Sequence, residues 1–338
     1  MSRRLTVTLT IDVSATEFEQ RGQEPHLSAQ YREKKMTSSG GDDNTGQNSD
    51  NDTAATSQRQ VFLKDGFVCL RQALPVESLQ VWQDVFAQLW SFLFQRLYEY
   101  GHTAFAKDSR LDEENGKKKR VYSLRLGIKH GFREVVMRSL GRYELSLLHH
   151  DWFWHEKGGS FLLEQLKEQL RDIVPPLLGK SSSWENVKIA NLSFVVSTPS
   201  ATTQAWHADG GHVNLQQHEP CHCFNVFIPL QDMPCIDWGP TELRPASHYY
   251  TRNLAPMLLA AKCRKELRPT VAPLLQQGDI LAFDYRILHR GLANTTEQHN
   301  RIVLVLTVAE PWFEDRLNFP TKSLYPGSSA EDDDKLEE

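Results

Sequence analysis

The chain contains no run of eighteen consecutive apolar residues, which excludes a membrane-spanning helix of ordinary length. It has no surplus of positive charge: 38 Lys and Arg stand against 43 Asp and Glu, a formal net charge of −5. The stretch from Ala330 to Glu338, with six acids and one lysine, carries that whole excess, so the rest of the chain sums to zero. A neutral body has no broad cationic field with which to hold nucleic acid or an anionic membrane surface. Cysteine is scarce, with five in 338 residues, and an odd number in so long a chain argues against a disulfide framework and for a reducing compartment. The start does not read as a secretory signal either, because the basic Met1 to Arg4 is not followed by an apolar segment. Asp12, Glu17 and Glu19 stand where a mitochondrial targeting peptide keeps acids rare, and the chain closes on Lys335-Leu336-Glu337-Glu338 rather than a Ser-Lys-Leu type address. The expected location is therefore the cytoplasm.

What is present is enough for a sizeable core: 40% of residues are hydrophobic and 10% aromatic. Leu5, Val7, Leu9 and Ile11 alternate with Thr6, Thr8 and Thr10, which predicts a half-buried strand in an N-terminal segment, 1–36. From Thr37 to Gln60 only Ala54 and Ala55 are apolar, and such a segment cannot bury enough surface to offset its chain entropy. The reading is a disordered polar linker over 37–58, a folded domain over 59–320 and an acidic flexible tail over 321–338.

Within the domain, Phe62 to Leu70 reads as a short strand interrupted by a turn at Lys64-Asp65-Gly66. Pro75 then opens a helix whose apolar stripe runs from Leu79 through Val85, Phe86, Leu89 and Leu93 to Leu97 and stops at Gly101. A second helix is expected from Phe161 to Ile173, ended by Pro175-Pro176. The charge-dense stretch Lys107 to Arg120 reads as a solvated loop, with Lys117-Lys118-Lys119-Arg120 as an alternative phosphate-binding patch. From Val187 onward short runs rich in Val, Ile, Leu and Phe dominate: Val187–Ser197, Cys223–Leu230, Ile280–Phe283 and Ile302–Ala309, punctuated by Gly and Pro. Strands bounded by turns, with the helices gathered ahead of them, predict a mainly β fold with flanking helices, a cupin-like double-stranded β-helix or jelly roll.

The chemistry concentrates in that β region. His207-Ala208-Asp209 places an imidazole and a carboxylate two residues apart, on one face of an extended chain. A third ligand from elsewhere in the fold, with His289 as the candidate, completes two imidazoles and one carboxylate on one face of an octahedral ion. That set leaves the opposite face open, as in the facial triad of non-haem Fe(II) oxygenases. Arg301 enters the apolar run Ile302-Val303-Leu304-Val305-Leu306, and a guanidinium entering a buried strand needs an anion. With no partner evident in the chain, the distal carboxylate of 2-oxoglutarate fits; an arginine that snorkels from a strand end is the alternative.

The order of these pieces resembles the phytanoyl-CoA dioxygenase family over about Val61 to Pro320. The resemblance rests on Asp65-Gly66-Phe67-Val68-Cys69-Leu70 ahead of an amphipathic helix, then His207-x-Asp209, then Gly239-Pro240-Thr241 leading to Pro245-Ala246-Ser247-His248. Gly278-Asp279-Ile280-Leu281-Ala282-Phe283, His289-Arg290-Gly291-x-x-Asn294 and Arg301 complete it. It implies an Fe(II)- and 2-oxoglutarate-dependent dioxygenase that uses O2 and hydroxylates an aliphatic carbon of a small organic or acyl substrate. By the same resemblance His207, Asp209 and His289 hold the metal, Arg301 anchors 2-oxoglutarate, and Asp209, where halogenating relatives carry a small residue, favours oxygenation. Two positions depart from the family's pattern. Ala246 replaces a glycine at a turn, and Gly291 replaces a serine that helps to bind the cosubstrate carboxylate.

Further candidates attach to this frame. Asn225 and Phe227 share the cavity-facing side of their strand, Asn191 and Ser193 share one side of the strand before the triad, and Thr241 lies in the Gly-Pro-Thr motif. Any of them is a possible cofactor or substrate contact, and a buried, satisfied polar residue is the alternative. His212 could replace a ligand. His218, Cys221, His222 and Cys223 have the residue types of a zinc site, but their C-x-C spacing runs straight into an apolar strand. His149-His150-Asp151 is expected in the core or at the cavity rim. A catalytically silent jelly-roll binding module, or a cupin-type enzyme of another reaction, is the competing reading. The expected partners are a small-molecule substrate and neither nucleic acid nor membrane; oligomeric state is not legible.

Overall fold

The structure is a computed structural model and describes residues 57–99, 131–199, 201–251, 268–315 and 318–325. The expected N-terminal strand, the linker up to residue 56, the loop Lys107 to Arg120 and the acidic residues 326–338 lie outside the described residues. Helix α1 spans residues 57–65, and α2 is Gln80–Glu99, entered through a 3-10 turn at Val76–Leu79. Three short helices follow: α3 (Asp151–His155), α4 (Gly159–Leu170) and α5 (Val174–Leu177). Among the described residues no helix is long and apolar enough to cross a membrane.

Among the described residues nine strands form two sheets: β1 (Phe67–Leu70), β2 (Val135–Ser139), β3 (Arg142–Ser146), β4 (Lys188–Ser197), β5 (Cys223–Pro229), β6 (Thr241–Leu243), β7 (Ile280–Asp284), β8 (His289–Gly291) and β9 (Arg301–Ala309). The larger sheet has seven strands in the order β1-β7-β5-β9-β4-β3-β2, every pairing antiparallel. The smaller pairs β6 with β8, and single bridges widen it at Val271 beside β6 and at His207 beside β8. This is the expected jelly roll.

Strand alternation gives the large sheet two unlike faces. Leu192, Phe194 and Val196 of β4, Phe224, Val226 and Ile228 of β5, and Leu304, Leu306 and Val308 of β9 are all buried in one cluster with Leu89, Leu93 and Leu97 of α2. Each such side chain contributes roughly 1.5–3 kcal/mol on burial, so this layer is the main stabilising term. The intervening residues, Ser193, Val195 and Ser197, Asn225 and Phe227, then Arg301, Val303, Val305 and Thr307, turn to the other face. That face, half polar, looks toward the small sheet and forms one wall of the site.

Three expectations need correction. Residues 62–65 are helical, not extended, the helix begins at 57 inside the stretch read as linker, and Phe62 packs edge-on against Phe224 with ring centroids 5.4 Å apart. Gly66, at φ +81°, ends that helix in the left-handed conformation, so the strand begins only at Phe67. Pro175 and Pro176 do not simply stop a helix. They sit in the first turn of α5, where a missing N–H is tolerated. The tail boundary at 320 falls short, because Leu324 is buried and Glu134, fully buried, accepts hydrogen bonds from Ser323 Oγ at 2.7 Å and Leu324 N at 2.8 Å.

A chain ended after Pro320 strips Glu134 of these two donors and leaves its buried carboxylate to Arg133 Nε, at 2.9 Å, a loss of about 1–3 kcal/mol. It is expected to melt several degrees below a chain ended after Tyr325, measured by calorimetry; equal melting temperatures would show that residues 321–325 contribute nothing.

Candidate functional site

His207 and His289 are brought together by backbone pairing. His207 N–H donates to the His289 carbonyl at 3.0 Å, and His289 N–H to the His207 carbonyl at 2.9 Å, leaving the two rings 4.3 Å apart between centroids. Each ring then donates its Nδ1–H to the carbonyl two residues back, His207 to Ala205 at 2.9 Å and His289 to Ile287 at 3.1 Å. A carbonyl only accepts, so this fixes the tautomer and leaves both Nε2 lone pairs facing inward. Burial, reinforced by the nearby His289, pushes His207 down to about 4, so that imidazole is neutral at ordinary pH. Asp209 completes the group, with Oδ1 3.7 Å from His207 Nε2 and Oδ2 3.5 Å from His289 Nε2. One donor atom from each residue lies within 4.8 Å of the others. Two imidazole Nε2 atoms and a carboxylate converge here, a donor set that suits a divalent cation.

Asp209 is aimed by its neighbours. Asn225 Nδ2 donates to Asp209 Oδ2 at 2.7 Å, Thr307 Oγ1 holds Asn225 Oδ1 at 2.7 Å, and Asn318 Nδ2 donates to the Asp209 carbonyl at 2.8 Å. The chain passes close behind: a Cβ at Gly210 would lie 2.5 Å from the Tyr285 ring, so only glycine fits there.

A cavity of about 70 Å³ runs from this cluster. At one end Arg301 is buried, its Nη1 donates to the Gly239 carbonyl, and its Nε has no hydrogen-bond partner among the described residues. Burial pulls its guanidinium down to about 10. Arg142 lies at the same end. Its Nε donates to Ser197 Oγ at 2.8 Å, and its Nη1 and Nη2 donate to the carbonyls of Gly291 and Leu292 at 3.2 and 2.6 Å. Burial, and then the charge of Arg301, push Arg142 well below the usual arginine range. Arg138, also on the cavity wall, is paired with Glu144 at 2.7 Å and lies 4.8 Å over the Phe319 ring.

Of the residues singled out from sequence, Asn225, Phe227, Thr241 and Arg301 line this cavity together with the two histidines and Asp209. Asn191 does not. Its amide is spent on Glu144 Oε1 at 2.9 Å and Ser193 Oγ at 3.0 Å, so it steadies a wall residue instead of meeting a cofactor. His212 Nε2 is bound to Thr251 Oγ1 at 2.7 Å. Cys221 Sγ bonds the Cys223 carbonyl at 3.3 Å, and burial pushes both thiols well above their usual range. His150 is buried, within 3.3 Å of the Tyr325 hydroxyl. Sequence reasoning missed Arg138, Arg142, Glu144, Gln204 and Asn318. The one available signal was a pair of arginines and a glutamate inside the alternating stretch Val135 to Leu147.

Residues 62–303 match the model of the phytanoyl-CoA dioxygenase (PhyH) family. The chain belongs to that family. It is a 2-oxoglutarate-dependent oxygenase that works with iron, 2-oxoglutarate and O2. AviO1 from Streptomyces viridochromogenes Tue57 shares the fold at a TM-score of 0.50 and 19% identity, over 77% of this chain and 97% of that one. SnoK, the non-haem alpha ketoglutarate dependent carbocyclase of nogalamycin biosynthesis, gives 0.49 at 15% identity, over 77% and 85%. HygX from Streptomyces hygroscopicus, solved with nickel and 2-oxoglutarate, gives 0.45 at 12%, over 76% and 88%. Among curated proteins none matches the chain.

Asn225→Ala frees the Asp209 carboxylate without opening the apolar layer. It is expected to weaken divalent-metal binding by about 10–100-fold while the fold is retained, measured by metal titration and circular dichroism. Unchanged affinity would show that Asp209 needs no such support.

Proposed function

We propose that His207, Asp209 and His289 hold the iron, that Arg301 anchors the distal carboxylate of 2-oxoglutarate, and that the enzyme hydroxylates an aliphatic carbon of a small organic or acyl substrate. The observation that carries this reading is the Arg301 guanidinium, buried with an unpartnered Nε in the cavity that also holds the three donor atoms. A guanidinium so placed is stabilised by a bidentate anion, and one carboxylate of 2-oxoglutarate would supply it.

Bound iron and 2-oxoglutarate together supply the oxidising chemistry, in which O2 is consumed and succinate and CO2 leave. The chain contributes the rest. The two carbonyl bonds orient the imidazoles with Nε2 toward the centre, and Asn225 and Thr307 hold the carboxylate of Asp209 in line with them. Phe227, Val195 and Val305 give the cavity wall an apolar middle that limits water. Arg138, already neutralised by Glu144, adds no free charge to the cavity wall, which suits an uncharged part of the substrate.

His207→Ala and His289→Ala are each expected to abolish near-stoichiometric Fe(II) binding, read by metal analysis of protein reconstituted without oxygen. Retention of iron in both would sink the ligand assignment. Arg301→Lys, which keeps the charge but not the fork, is expected to raise the Kd for 2-oxoglutarate by at least about tenfold and to leave iron affinity intact. An unchanged Kd would make the arginine purely structural.

A further inference from the structure

Arg142, Ser197 and Arg301 stand in a row across three neighbouring strands. Arg142 of β3 is the register partner of Ser197 of β4, and Ser197 is in turn the partner of Arg301 of β9. Directly opposed residues in antiparallel strands point to the same face, so the two arginines leave the sheet on its cavity side, one on each flank of Ser197. Both are fully buried, at 1% and 2% exposure. Both are held by neutral oxygens alone: Ser197 Oγ and the carbonyls of Gly291 and Leu292 for Arg142, the carbonyl of Gly239 for Arg301. Among the described residues no carboxylate lies within ion-pair distance of either. Two like charges buried side by side with no anion are strongly unfavourable unless a ligand brings the missing charge.

Gly291 belongs to the same arrangement. It lies in β8 with a φ outside the left-handed region, so its backbone conformation is open to any residue. Space is what it lacks: a Cβ at 291 would come within 2.3 Å of Arg142 Nη1 and 2.4 Å of Arg142 Cζ. Three hydrogen bonds pin the guanidinium there, so it cannot withdraw cheaply.

We propose that Arg142 and Arg301 together bind the distal carboxylate of 2-oxoglutarate as a two-guanidinium clamp, with glycine at 291 because the second guanidinium occupies the room a side chain would need. The clamp rests on the reading of Arg301 given above. Its competitor is a structural Arg142 that only ties the Gly291-Leu292 backbone to β3.

Two probes separate these. 2-Oxobutyrate keeps the 2-oxo acid end of 2-oxoglutarate but ends in a methyl group, so it cannot use the clamp. Affinities of both acids for Mn(II)-loaded full-length protein are measured by calorimetry for the wild type, Arg142→Met and Gly291→Ala. In Arg142→Met the Kd for 2-oxoglutarate is expected to rise at least about tenfold, the loss of one charge-assisted contact, with the Kd for 2-oxobutyrate and the Mn(II) content unchanged. Gly291→Ala, which keeps every group of Arg142 but displaces its guanidinium, is expected to shift the two acids in the same selective way and by less. It carries the test alone if Arg142→Met does not fold. Equal weakening of both acids, or no change in either, overturns the clamp while leaving 2-oxoglutarate binding intact. If the wild type binds neither acid, the 2-oxoglutarate reading falls first and the clamp with it.

Discussion

The reciprocal backbone hydrogen bonds between His207 and His289 are the constraint on which the centre depends. They are main-chain contacts, so the separation of the two rings does not rely on how either side chain packs. Once the pair is made, the extended chain carries Asp209 two residues on to the same side, and the carbonyls of Ala205 and Ile287 lie where each Nδ1 needs an acceptor. The short sheet formed by β6, β8 and the bridges at Val271 and His207 therefore does more than close the jelly roll. It sets the distances between the donor atoms.

The large sheet does complementary work through its two faces. Its apolar face, covered by α2, supplies the stability that lets the opposite face carry Asn225, Thr307, Glu144, Arg142 and Arg301 in buried positions. Those polar residues are not evenly distributed along the cavity. Around Arg138 the charge is cancelled by Glu144, and around Arg142 and Arg301 it is not. The cavity wall thus carries one neutralised guanidinium, at Arg138, and two without a carboxylate partner among the described residues, on either flank of Ser197.

Much of this was legible in the residues. The i, i+2 spacing of His207 and Asp209 and the alternation in β4, β5 and β9 follow from the two-residue period of a strand, and Arg301 stood out because charge rarely opens an apolar run. His289 needed the order of several motifs, because its pairing with His207 spans the fold. The β2–β3 hairpin escaped notice for a physical reason. β3 is buried along its whole length, with Tyr143 and Leu145 facing the helices while Arg142, Glu144 and Ser146 face the cavity, so its sequence looks half exposed when it is not. Residues 62–65 of α1 read as the start of a strand because one buried aromatic, Phe62, gives no helical period. The turn at Ala246 also concealed something. The residue sits at φ +64°, where a Cβ costs about 1–2 kcal/mol, and the turn is held by Ala246 N–H on the Asp65 carbonyl and by Ser247 Oγ accepting from Leu288 N–H at 2.8 Å.

The account is tested most directly by anomalous scattering at the iron edge from crystals of the full chain grown with Fe(II) and 2-oxoglutarate in the absence of oxygen. One peak is predicted, within bonding distance of His207 Nε2, His289 Nε2 and an Asp209 carboxylate oxygen, with the far carboxylate of 2-oxoglutarate against Arg301. No peak at that cluster, or iron held instead among His212, His218 and His248, would contradict it.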